Sequence, residues 1–273
     1  MATSTQWQLD QGAAQRYERI LVASILGPAA RALVDCAALG DGESVLDVGC
    51  GTGAATRMAA GLVGAQARVV GVDINAGMLA VAQSLQPDGA SAASIGWVER
   101  NAVDLASLGE TFDVVLCAQT LQFLPEREEA LTAMYGALKP GGRAVLSFWG
   151  GLESNPYFDA LVRAMDRHVG AEAADGLRAA FRLPDASAVT APMKAIGFRH
   201  VLTVSRRLDL ALPPPDSFVP LHVSATPMAA AFSRADESAR QAVVRDVQEQ
   251  LASCKSRDGL KVPFRTHVVT GFR

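Results

Sequence analysis

The sequence predicts an α/β fold: a mostly parallel sheet with helices on both faces, a helical segment before it, and a helical insert ahead of its last strand. Three observations point there. Short Val-rich apolar stretches alternate with segments of helical periodicity between residues 44 and 149, which is the rhythm of a parallel sheet covered on both sides. The first stretch, Val45-Leu46-Asp47-Val48, runs directly into Gly49-Cys50-Gly51-Thr52-Gly53, a turn whose bare backbone lets a ligand approach closely. The chain has 273 residues, 49% hydrophobic and 19% charged, enough for one large domain or for one domain with a cap.

Residues 11–39 read as helical, with a break expected near Gly27-Pro28. Ile20, Leu21 and Ile25, then Ala30, Leu33, Val34 and Ala37, recur there at helical spacing. Gly40-Asp41-Gly42 closes the segment. Strands are expected at 44–48, 67–73, 95–100, 112–118 and 143–149. Helices are expected at 54–62, 76–85 and 126–138, the last closed by Lys139-Pro140-Gly141-Gly142. After Trp149 the rhythm changes. Helices follow at 155–169, where Phe158, Leu161, Val162 and Met165 share a face, and at 187–196; a strand follows at 198–206. Pro213-Pro214-Pro215 breaks the chain, two helices cover 217–232 and 237–251, and a last strand occupies 267–272. The stretch 208–263 is long for a connection between strands and reads as a helical insert over the sheet's ligand edge. Four units result: a helical lid at 1–40, a cofactor-binding core at 41–206, a helical cap at 207–263, and the last core strand at 264–273.

Ligands of such sheets bind beyond the strands' carboxyl ends, where the glycine turn lies. Asp47, just before the turn, suits a ligand that carries a cation. The spacing of Gly49, Gly51 and Gly53 is G-x-G-x-G, not the G-x-G-x-x-G of dinucleotide sites. Together these point away from NAD and toward S-adenosylmethionine, which has an ammonium and a sulfonium but no phosphate. Asp73 ends the second strand, where a carboxylate accepts hydrogen bonds from ribose hydroxyls or caps the next helix. Ile74 and Met78 either sandwich a flat base or pack helix against sheet. Asn101 and Ala102, after the third strand, can read an adenine edge with a side-chain amide and a backbone N–H; otherwise they are a polar loop. Cys50 lies within the turn. Gln119 leaves the fourth strand facing the same crevice, where its carbonyl or its side chain can hold the ligand's amino group. Gln122 either reaches toward a substrate or faces solvent, and neither glutamine titrates as a general base.

In this order, residues 45–53, 69–73, Asn101-Ala102, 112–116 and 138–142 resemble the signature of class I S-adenosylmethionine-dependent methyltransferases, in particular the bacterial group similar to ubiquinone/menaquinone-biosynthesis methyltransferases. The resemblance is strong over 41–149 and weaker over 155–198. It implies a Rossmann-like seven-stranded sheet whose last strand inserts antiparallel. It also implies that Asp47 and the three glycines hold the methionine end, Asp73 the ribose, and Asn101 with Ala102 the adenine. Many members have Asp where this chain has Asn101, and an amide still bonds the exocyclic amine. Relatives often have His where this chain has Gln122, so a His-based acid–base role is not expected there.

At the acceptor end, Trp7, Tyr17, Trp149, Tyr157, Phe158, His168, His222 and His267 are the polar-aromatic candidates for lid or pocket. Tyr17 lies on the N-terminal helix, which in similar enzymes folds over the cofactor. Trp149 leaves the fifth strand at the crevice edge. Tyr157 and His222 are further pocket candidates, His222 in the cap. No single residue stands out as a base, and methyl transfer needs none, since positioning an acceptor against an activated carbon supplies much of the rate. Cys36, Cys50, Cys117 and Cys254 lack C-x-x-C spacing and do not cluster with the four His residues, so neither a metal site nor a disulfide framework is expected. A net charge of −3 gives no footprint for nucleic acid or anionic membrane. No run of about 18 apolar residues appears, and the first residues lack a secretory pattern; the cytoplasm is the expected compartment. The expected function is methyl transfer to a small-molecule acceptor, by a monomer or a homodimer. The alternatives are a non-methylating cyclase or lyase with the same binding motifs, an NAD-dependent oxidoreductase, and a noncatalytic subunit.

Overall fold

The computed structural model describes residues 9–85, 92–183 and 185–273; Trp7 lies outside them. Among the described residues one sheet forms, in the order β3-β2-β1-β4-β5-β8-β6. Strands β1 (Val45–Val48), β2 (Val69–Asp73), β3 (Ile95–Glu99), β4 (Phe112–Ala118) and β5 (Leu138–Trp149) run parallel. Strand β8 (Gly259–Phe272) inserts antiparallel between β5 and β6 (Arg199–Leu212), and the two-residue β7 (Lys255–Ser256) pairs with it. The Rossmann-like mostly parallel sheet and the antiparallel last strand are as expected.

The pleat sorts side chains between two helical layers. Val45, Val69, Val114 and Val145 face α2 (Gly27–Ala37) and α3 (Ala54–Val63), through Leu33, Val34, Ala59 and Val63. Leu46, Val70, Val115 and Leu146 face the other way, toward α5 (Arg127–Ala137) and α8 (Ser187–Ile196), through Leu131, Met134, Val189 and Met193. Every β1 residue is buried, as befits a strand with neighbours on both edges and helices on both faces. The order reverses between β1 and β4, and the turn after β1 opens into that switch point. Helix α4 (Ala76–Ser84) follows β2, its first turn capped by Asn75, whose Oδ1 accepts from Met78 N at 3.0 Å.

Several elements depart from expectation. The N-terminal helix does not break at Gly27-Pro28. Helix α1 (Gln11–Tyr17) passes through a π-helical stretch, Glu18–Leu26, straight into α2. Pro28 is the second residue of α2, at the junction where the π-helical stretch gives way to α-helix, and the helix runs on past it. By length and composition alone, Gln11–Ala37 would suffice to cross a membrane, but 56% of its apolar window is buried against the fold.

Strand β6 runs to Leu212 rather than stopping at 206, and β8 begins at Gly259 rather than 267. The added halves pair with each other from Arg207↔Arg265 to Leu212↔Leu260. Their alternating Leu208, Leu210, Leu212, Leu260, Val262 and Phe264 join the core beneath the cap. The stretch expected to be wholly helical, 208–263, therefore begins and ends as a β-ribbon. Between its strands lie α9 (Pro215–Ser224), α10 (Ala229–Arg234) and α11 (Glu237–Gln250); the single helix expected over 217–232 is interrupted between α9 and α10. The ribbon and these helices pack with α6 (Pro156–His168), Trp149 and the π-helical stretch into one apolar layer. A further helix, α7 (Ala171–Arg178), was not expected.

Candidate active site

A cavity of about 510 Å³ opens at the carboxyl ends of β1, β2 and β4, roofed by the N-terminal helix and the cap. Its polar end is built by the turn after β1. Gly49, Gly51 and Gly53 all have positive φ, between 55° and 84°, which L side chains adopt at a cost. A Cβ on Gly49 would collide with the Thr120 side chain, whereas one on Gly51 would meet nothing within 4 Å. Gly51 lines the cavity, so its missing side chain leaves space rather than relieving a clash.

Asp73 faces this turn. Its Oδ2 accepts from Gly51 N at 2.8 Å and its Oδ1 from Asn75 N at 2.9 Å. Burial lifts its carboxyl above the usual range, and these backbone donors oppose the rise. Ile74, 43% exposed despite its size, and Met78 line the wall beyond, followed by Asn101 and Ala102. Asn101 Oδ1 accepts from Val103 N at 3.2 Å, which fixes the loop after β3. Tyr17 overhangs Asp73 from the roof; burial and the carboxylates of Asp73 and Glu18 push its hydroxyl up.

Asp47 is close but not on the wall. It lies beneath the turn, completely buried. Its Oδ2 accepts from Thr56 Oγ1 at 2.6 Å, and its Oδ1 meets no donor. Burial foremost, with the Asp73 charge adding, raises its carboxyl to about 6. A strand-end position does not reveal depth, because the glycines curl over Asp47. Cys50 lines the cavity; Cys117 does not. Burial holds both thiols in the neutral form. Among the described residues, no group of His, Cys, Asp and Glu is arranged to hold a metal.

The opposite end is apolar. Trp149, Phe158, Leu177, Ala180, Leu21 and Ile25 form it, with His222, Thr226 and Gln122 as its polar members. Trp149 stands where expected. Tyr157 does not line the cavity: it lies behind His222, bonding Nδ1 through its hydroxyl at 3.1 Å. Burial lowers His222 to about 3, so the ring is neutral. His168 pairs with Asp246 at 3.0 Å, away from the cavity. His267 packs against Phe148 within the sheet. The Gln119 side chain is committed inward, to Ser147 and Thr266, so of the two groups it offers a ligand only the carbonyl remains. Leu177, Ala180 and Thr226 had no signal in the sequence, since isolated small or apolar residues in polar segments do not mark a cavity wall.

The roof is tied down. Glu18 pairs with Arg57 at 2.7 Å and accepts from the Thr52 hydroxyl, linking the π-helical stretch to the glycine turn and α3. π-helical turns are frequent at functional sites, and this one supplies Leu21, Val22, Ile25 and Leu26 to the cavity.

Residues 45–142 match a family described as a methyltransferase domain. The chain is 34% identical over 139 residues to the ubiquinone/menaquinone biosynthesis C-methyltransferase UbiE of Vibrio vulnificus, covering 50% of this chain and 52% of that protein. The UbiE of Erwinia tasmaniensis is 36% identical over 139 residues, covering 50% and 53%. The chain thus spans about half the length of the curated relatives it matches. Among solved structures, phosphoethanolamine N-methyltransferase 2 of Haemonchus contortus, in complex with S-adenosyl-L-methionine, superposes with a TM-score of 0.57 at 17% identity, over 97% of this chain and 58% of that one. The YcgJ protein of Bacillus subtilis gives 0.52 at 15%, over 90% and 97%. These superpositions show a shared fold.

Proposed function

We propose that the chain, whose residues 45–142 match a methyltransferase-domain family, uses S-adenosylmethionine to transfer a methyl group to a small, uncharged, largely apolar acceptor. One observation carries the reading: a single cavity joins a polar, cation-compatible end at Gly51 and Asp73 to an apolar end at Trp149, Phe158 and His222.

The residues present fit the cofactor. Gly51 leaves space that a Cβ would fill, Asp47 keeps an unpaired buried oxygen beneath it, and Asp73 lines the cavity beside the turn. When bound, S-adenosylmethionine supplies a methyl group on a sulfonium carbon already activated for in-line attack. The chain's own part is binding, orientation and exclusion of water. Asp73 accepts from ribose hydroxyls, and Gly49, Cys50, Gly51 and Gly53 present backbone to the methionine end. Asp47 adds negative charge through a low-dielectric wall. Ile74 and Met78 flank the base, Asn101 and Ala102 read its edge, and the Gln119 carbonyl takes the amino group. Tyr17 and the π-helical stretch close the roof.

The cavity's charged lining residues besides Asp73 are Arg100, Glu126 and Glu129, from the segment after β3 and the start of α5, and at the acceptor end Trp149, Phe158, Gln122 and His222 shape an aromatic pocket. It suits a neutral aromatic or alicyclic metabolite. The quinone C-methylation for which the UbiE relatives are named lies within that class, and a net charge of −3 accords with a small acceptor rather than a nucleic acid. The test is incubation with methyl-labelled S-adenosylmethionine and a panel of neutral aromatic acceptors, followed by mass spectrometry. Labelled product with stoichiometric S-adenosylhomocysteine supports the reading. A rearranged or decarboxylated product without label would replace it with a non-methylating reaction on the same site.

A further inference from the structure

The floor beneath the glycine turn is one row of the sheet. Asp47, Gly71 and Trp97 are partners across β1, β2 and β3, so they share a face. The half-buried Trp97 indole leans across the gap that Gly71 leaves. A Cβ on Gly71 would meet Trp97 Cζ3 at 2.6 Å and Cε3 at 2.7 Å, with Cys50 Sγ at 3.1 Å. Gly71 has an ordinary negative φ, so space, not backbone conformation, is what glycine supplies there. The same ring reaches the turn itself: a Cβ on Gly53, at φ +84°, would fall on Trp97 Cη2. From the other side Thr120 closes on Gly49, and its Oγ1 donates to Gly49 O at 2.9 Å. Both outer glycines of the turn are therefore backed by a side chain, and Gly51 alone of the three meets nothing. Trp97 does not line the cavity, so any effect it has on a ligand passes through the turn.

We propose that Trp97 is a positioning residue of the cofactor site: its indole, laid over Gly71 and against Gly53, holds the glycine turn in its binding form before the ligand arrives. This rests on the reading of the turn as the place where S-adenosylmethionine binds. Glycine loses more conformational freedom on ordering than any other residue, and a loose turn with three of them would meet that cost on binding. A turn held by the fold meets it on folding instead, which raises affinity. Four amides report whether the turn is held. Gly49 N and Cys50 N donate to Val72 O at 2.8 and 2.9 Å, Gly51 N to Asp73 Oδ2 at 2.8 Å, and Gly53 N to Cys50 O at 2.9 Å.

The test is Trp97→Phe, which keeps an apolar ring on β3 but lacks the outer ring atoms that reach Gly71 and Gly53. Two readouts on the full chain separate this proposal from the cofactor reading. Hydrogen exchange followed by mass spectrometry needs no ligand: peptides covering residues 49–53 should exchange about tenfold faster in the variant, while those covering β4 and β5 keep their rate. Calorimetry should then show S-adenosylhomocysteine bound about tenfold more weakly. Circular dichroism melts identify a variant that fails to fold. In that case Gly71→Ala, which displaces the indole without removing it, carries the same two readouts with the same expected changes. Unchanged exchange over residues 49–53 overturns the proposal, as does a rise spread evenly over the chain, which would mean that the indole only stabilises the fold. Unchanged affinity in a folded variant also overturns it. A wild type that binds no S-adenosylhomocysteine defeats the cofactor reading instead, and the exchange result still decides whether Trp97 holds the turn.

Discussion

Asp47→Asn should make the protein more stable at neutral pH while weakening its site. Asp47 is completely buried beneath the glycine turn, with one oxygen bonded to Thr56 and the other unpaired. Burial raises its carboxyl from 3.8 to about 6; at 1.36 kcal/mol per pKa unit, keeping it ionised at pH 7.5 costs the fold about 3 kcal/mol. Asparagine removes that charge and can still accept from Thr56. Its amide N–H groups need partners where the carboxylate had none, which takes back about 1–3 kcal/mol. The net gain at pH 7.5 should be about 1.5 kcal/mol, or about 3–6 °C in Tm for a chain of this size. The sign with pH follows from linkage: a carboxyl raised in the folded state is least costly below its unfolded value and most costly above its folded one. The advantage of the variant should therefore shrink as pH falls from about 6 toward 3.8. Urea unfolding at pH 7.5 and 4.5 should show the difference between variant and wild type narrowing by about 2 kcal/mol. A variant less stable at pH 7.5, or a difference that does not change with pH, would refute the reasoning.

Three further perturbations address the site. Gly51→Ala places a Cβ at φ +55° in open space; it should cost about 1 kcal/mol of stability yet weaken S-adenosylhomocysteine binding more than tenfold, and equal binding to both proteins would show that no ligand presses there. Asp73→Ala removes a charged acceptor worth about 1.5–3 kcal/mol to bound hydroxyls, so calorimetry should record affinity about ten- to a hundredfold weaker; an unchanged Kd sinks the ribose assignment. Glu18→Gln cuts the tie between the π-helical stretch and Arg57 and should cost about 1–2 kcal/mol, with faster proteolysis within residues 11–37; an unaltered cleavage rate would mean the roof is held by apolar packing alone.

The alternation of strands and helices was readable because each central strand is a short apolar run and each helix has one apolar face. The glycine turn was readable because its spacing has few other uses. Depth was not. Asp47 and Tyr157 both stand at positions that face a crevice in sequence, yet one lies under the turn and the other behind His222. The outer halves of β6 and β8 were hidden because their pairing joins residues more than 45 apart in sequence, and strand preference depends on such partners more than on local composition. The uninterrupted N-terminal helix was hidden by Gly27-Pro28, which read as a break, whereas the π-helical stretch meets α2 there and the helix continues through it. Gln119 bonds both Gln122 and Thr266, which are 144 residues apart, and only the assembled sheet brings the three together.

The central claim is that the cavity over Gly51 and Asp73 holds S-adenosylmethionine. Calorimetric titration of the full chain with S-adenosylhomocysteine, with NAD titrated in parallel, tests it most directly. Saturable one-to-one binding of S-adenosylhomocysteine and none of NAD is the predicted result. No heat with S-adenosylhomocysteine, or tighter binding of NAD, would contradict it.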